Sequence, residues 1–89
     1  MNNKGLALYN QDKYQQAIIW YDKALKIKPG HKDALYNKAL ALNDLGKYQE
    51  AVTWYDKALK IDPQNKEIIK SKKITINKLA KNSKSFEGI

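Results

Sequence analysis

The side chains that most often carry chemistry are scarce in this 89-residue chain. There is no cysteine, which excludes thiolate nucleophiles, disulfide staples and cysteine-ligated zinc. His31 is the single histidine, so no histidine pair can hold a metal and most acid–base relays are closed. All 17 basic residues are lysines, and without arginine there is no planar fork for phosphates or base edges. The acids are scattered singly, serine and threonine are few, and no glycine-rich loop precedes a helical segment. The expectation is therefore no catalytic residue, no metal site, no cofactor, and a protein that is not an enzyme.

What these residues can do is recognise. The formal net charge is +8, and residues 64–89 hold seven lysines against Glu67 and Glu87. A basic segment of that kind can bind nucleic acid or an acidic protein through salt-dependent contacts. Trp20, Tyr21, Trp54 and Tyr55 fall elsewhere in the chain, so no ring is paired with the lysines for base stacking. Nucleic acid is thus an unfavoured partner, and a solvated solubility surface is the simpler reading of the lysines. The longest apolar run, Ala17 to Tyr21, is far short of a membrane span, and the first ten residues have no leader pattern. We expect a soluble cytoplasmic protein of one domain.

The elements that position these groups come from an internal repeat. The segment WYDKALKI at Trp20–Ile27 recurs letter for letter at Trp54–Ile61, an offset of 34, and Pro29 pairs with Pro63. Within a unit the apolar residues fall at helical spacing: Leu35, Ala39 and Leu42, then Ala51, Tyr55, Ala58 and Ile61. Gly46 marks a left-handed turn between two helices, with Asp12 in its place in the first unit, and the prolines end the second helices. His31 and Asn65, equivalent by the repeat, share a capping role. Helices are predicted over Asn2–Asn10, Tyr14–Ile27, Lys32–Leu45, Tyr48–Ile61 and Lys66–Lys81. The small residues Gly5, Ala17, Ala24, Ala39, Ala51 and Ala58 belong where helices approach closely. In the fifth helix Ile68, Ile69, Ile76 and Leu79 form the apolar side.

A 34-residue helix-turn-helix unit with small residues at fixed places and a closing proline resembles the tetratricopeptide repeat (TPR) family. The second unit carries the pattern in Leu35, Ala39, Leu42, Ala51, Tyr55, Ala58 and Pro63, and the first in Met1, Gly5, Leu8, Ala17, Tyr21, Ala24 and Pro29. The resemblance implies an all-α, right-handed helix-turn-helix solenoid of about five antiparallel helices. The domain would be residues 1–81: a first repeat over 1–31, truncated at its start, a second over 32–65, and a capping helix over 66–81. The tail 82–89 is expected to be flexible, with Phe86 and Ile89 able to dock. One departure is Lys4 and Lys38, where the family has leucine; an interhelix contact is lost there or replaced by a snorkelling stem. Trp20 and Trp54 are expected to pack across the repeat boundary.

The resemblance also implies a function, a protein–protein interaction module or scaffold that binds a peptide or partner helix on the concave face of the first helices. The family's groove positions correspond to Asn2, Asn3, Leu6, Tyr9 and Asn10; to Asp33, Tyr36, Asn37, Leu40, Asn43 and Asp44; and to Glu67, Lys70, Ser71, Ile74, Asn77 and Lys78. Leu6, Leu40 and Ile74 step by 34, an apolar ridge expected in one hollow. The plainer alternative is that these asparagines only bond between neighbouring helices, and Asn3 and Asn37, one repeat apart, fit it best. A cationic clamp for acidic C-termini, found in some members, is mostly missing: only Asn37 matches, and Asn2, Leu6, Glu67 and Ser71 replace its other residues. Two further partners are weighed, a second copy through the uncapped N-terminal end and an acidic ligand on the lysine-rich last helix.

Overall fold

Five α-helices follow one another in the computed structural model, which describes residues 2–87 and the side chains of residues 3–81. They are α1 (Asn2–Asn10), α2 (Tyr14–Ile27), α3 (Lys32–Asp44), α4 (Tyr48–Ile61) and α5 (Lys66–Glu87), with no strand among the described residues. Two ends differ from expectation. Leu45 caps α3 instead of closing its last turn, and α5 runs to Glu87 instead of Lys81. No glycine or proline interrupts the chain between Lys81 and Gly88, so the backbone meets no stop signal there. The expected docking of Phe86 and Ile89 lies outside the described side chains.

Local chemistry sets the turns. Asp12 and Gly46 take the left-handed conformation at φ 62° and 82°. Around them the bonds repeat: Asp12 N–H to Tyr9 C=O and Lys13 N–H to Leu8 C=O, then Gly46 N–H to Asn43 C=O and Lys47 N–H to Leu42 C=O. This paired pattern satisfies carbonyls that a helix end leaves orphaned. At the next helix starts, His31 Nδ1 accepts from Ala34 N–H at 3.2 Å and Asn65 Oδ1 accepts from Ile68 N–H at 3.1 Å, the shared capping role expected of them. Asp62 beside that cap accepts from Asn65 and from the Lys32 ammonium, which together hold its carboxyl below the ordinary range.

Successive helices pack antiparallel, and the first helices also meet each other, α1 on α3 and α3 on α5. The result is a two-layer stack whose thinnest dimension, 18 Å, is about two helix diameters. An all-α helical solenoid follows. Its interior is built around two fully buried tyrosines, Tyr21 and Tyr55, held among Ala17, Ala39, Ala51, Ala58, Leu35, Leu42 and Ile68. Small neighbours are required: a Cβ on Gly5 would lie 2.6 Å from the Tyr21 ring. Two apolar expectations shift. Ile61 is exposed past the packed length of α4, and on α5 Ile76 is exposed while Thr75 is buried, because the Thr75 hydroxyl donates to Asn43 Oδ1 at 2.9 Å and also meets the Tyr55 hydroxyl.

The lysines at the family's leucine position are the clearest departure. Lys38 Nζ sits 3.8 Å from the centre of the Trp54 ring and 2.6 Å from Asp22 Oδ1, so one residue of α3 joins α2 to α4. Lys57 covers Trp54 as well, and Lys4 and Lys23 flank Trp20 in the same way. Lys72, one repeat after Lys38, reaches Asp56 at 2.5 Å. The missing apolar contact is thus replaced by a charge on a ring face, and each tryptophan meets the first helix of its own hairpin.

Candidate functional site

The N-terminal ends of the first helices leave a hollow of about 470 Å³. Asn3 and Leu6 of α1, Lys32, Asp33, Tyr36 and Asn37 of α3, Glu67 and Ile68 of α5, and Asn65 just before α5 line it. The 34-residue step brings equivalent turns of three helices side by side, which is why residues so distant in sequence converge.

Tyr36 holds the centre. Its hydroxyl lies 2.8 Å from Ser71 Oγ and 3.4 Å from Glu67 Oε1, and its ring centre is 5.9 Å from that of Tyr55. Burial, partly offset by the Ser71 bond, raises its hydroxyl above the usual tyrosine range. Lys32 is engaged by Asp62, whereas Asp33 and Glu67 have no ion-pair partner among the described residues. The hollow therefore combines an apolar contact at Leu6, amides at Asn3 and Asn37, and two carboxylates.

The other expected groove residues are placed differently. Leu40 is half-buried against the core. The Tyr9 hydroxyl donates to Asp44 across α1 and α3; burial first, and then the Asp44 carboxylate, push it far above the ordinary range. Asn43 accepts from Thr75, so it ties α3 to α5. Asn10 is exposed. Lys70, Ile74 and Asn77 line a separate depression of about 420 Å³ with Lys66, Ile69 and Lys73. Leu6 and Ile74 thus do not line the same hollow.

Sequence reasoning did not select Lys32, Asn65 and Ile68 for the site. Their signal was present in the capping position, since a residue that starts a first helix stands at the edge of the hollow. No cluster of three histidine, cysteine or carboxylate groups suited to a metal occurs among the described residues. No described helix is long and apolar enough to cross a membrane. The hollow offers hydrogen bonds, charge and apolar contact.

The tetratricopeptide repeat family model matches residues 1–31 and 33–65. Among solved structures the chain is similar to "First TPR of Spaghetti (RPAP3) bound to HSP90 peptide SRMEEVD", with 23% identity and a TM-score of 0.86. That likeness, which is one of fold, covers 89% of this chain and 63% of the other. No curated protein matches.

Proposed function

Because the chain belongs to the tetratricopeptide repeat family, we propose that it is a cytoplasmic, non-catalytic scaffold whose hollow takes an extended peptide or a partner helix. One observation carries this reading: three first helices surround a single hollow with Leu6 for a ligand side chain and Asn3 and Asn37 for its polar groups. Asparagine amides both donate and accept, so they can bind a peptide backbone in either sense. The structural neighbour is bound to an HSP90 peptide ending in EEVD. Asp33 and Glu67 would repel such a run of acids, so the favoured ligand here lacks an acidic C-terminal cluster.

Peptides selected from a displayed random library on the wild-type chain test this reading. Leu6→Glu, at an exposed site, and Tyr36→Ala should each weaken the selected peptides by about tenfold or more, which corresponds to at least about 1.4 kcal/mol. Circular dichroism of both variants should show an unchanged helix content. Peptides that bind both variants as tightly as wild type would refute the hollow as the binding site.

A further inference from the structure

The outer side of α5 is a second surface with different chemistry. In α3 the face carrying Leu35, Ala39 and Leu42 is closed by Ala51, Tyr55 and Ala58 of α4. The corresponding face of α5 carries Ile69, Lys73 and Ile76, and no second helix closes it among the described residues. A furrow of about 420 Å³ shares Ile69 and Lys73 with that face and adds Lys66, Lys70, Ile74 and Asn77, the repeat equivalents of Lys32, Tyr36, Leu40 and Asn43. Ile74 and Ile76 are 46% and 41% exposed. None of those three lysines has an ion-pair partner among the described residues, whereas Lys72 on the other flank is taken by Asp56.

We propose that this furrow docks an acidic amphipathic helix from a partner protein. The shape follows from the fold: in α3 the equivalents of Ile69 and Lys73, Leu35 and Ala39, are packed by α4, and the equivalents of Lys70 and Asn77, Tyr36 and Asn43, bond to α5. From Lys66 to Asn77 the furrow runs about 17 Å, the length over which a helix presents apolar anchors at i, i+3 or i+4, and i+7. The charge follows from Lys73. It stands where the repeats have Gly5 and Ala39, which lie against tyrosine rings, so an occupant must offer a carboxylate there instead of a ring. A second copy fits poorly, because it would bring a net charge of +8 against these lysines. Nucleic acid fits poorly as well: exposed isoleucines, with no aromatic ring, lie between the lysines.

Fluorescence anisotropy with the full chain tests the proposal. The probe is a labelled synthetic helix of about 20 residues with leucines along one stripe and glutamates beside it. A permuted peptide of the same composition without the stripe and a single-stranded oligonucleotide serve as competitors. The striped peptide should bind most tightly. Lys70→Glu with Lys73→Glu should weaken it by about tenfold or more, and Ile74→Ser by about fivefold. Leu6→Glu, in the hollow, should leave its affinity unchanged, which separates this surface from the other. Should the double reversal disturb the fold, Ile74→Ser still decides. Equal binding of the permuted peptide or the oligonucleotide, indifference to Ile74→Ser, or no binding up to about 1 mM probe, roughly the weakest affinity of interest, would overturn the proposal.

Discussion

The two buried tyrosines are identical by repeat and different by environment. Tyr55 has a partner in Thr75, while the Tyr21 hydroxyl is buried with no partner among the described residues, because the position equivalent to Thr75 is Ala41. A lost buried hydrogen bond costs about 1 kcal/mol, and removing an orphaned hydroxyl costs nothing or gains. Tyr55→Phe should therefore lower the denaturant midpoint, and Tyr21→Phe should leave it unchanged or raise it; equal losses would contradict the assignment.

The same residues fix the alkaline limit. Burial pushes both hydroxyls up to about 12 from an ordinary 10.0, so the unfolded chain ionises first. Stability from these two groups is intact below pH 10 and is lost as pH rises from 10 to about 12, on the order of 2–3 kcal/mol per tyrosine. Tyr21→Phe should shallow that decline in unfolding measurements at pH 9 and 11, and an unaltered decline would show that Tyr21 does not contribute. Gly5 sets a steric limit on the same ring. Alanine there gains up to about 1 kcal/mol of helix propensity, yet its Cβ meets a ring that cannot move, so a net loss of about 1–2 kcal/mol is expected in thermal unfolding.

Between elements, Lys38 is the residue on which three helices depend. Its ammonium faces both Trp54 and Asp22 and is largely covered. Lys38→Met keeps the stem and removes the charge; the expected loss is about 1–2 kcal/mol, and in a double-mutant cycle with Trp54→Leu the coupling should exceed about 0.5 kcal/mol. No coupling would make the contact incidental. The helices, the left-handed turns and the helix starts were legible in the sequence because each depends on neighbours within a few residues: Asp12 and Gly46, His31 and Asn65, the two prolines. Lys38 was visible as an anomaly only, since its ring partner is on another helix and its acid belongs to the preceding unit. The separation of Leu6 from Ile74 was hidden for a related reason. A step of 34 fixes which residues are equivalent, but Leu40 is drawn toward the core beside Tyr36, and Ile74 lines a separate depression on α5. Thr75 was missed because an apolar pattern has no place for a hydroxyl that finds its partners only after stacking.

At the scale of the whole molecule, stability is uneven along the stack. The larger buried cluster spans α3, α4 and Ile68 of α5, while among the described side chains α1 adds Leu8 and Tyr9 to the smaller one. Amides of α1 should therefore exchange with solvent at least about tenfold faster than those of α3, a difference of about 1.4 kcal/mol in local opening. The charges divide by surface as well: Asp33 and Glu67 face the hollow, whereas Lys66, Lys70 and Lys73 line the furrow. The measurement closest to the central claim is an amide chemical-shift map of the labelled chain titrated with a library-selected peptide. The largest shifts are predicted at Asn3, Leu6, Tyr36, Asn37 and Ile68. Shifts confined to α2 and α4, around Trp20 and Trp54, would contradict it.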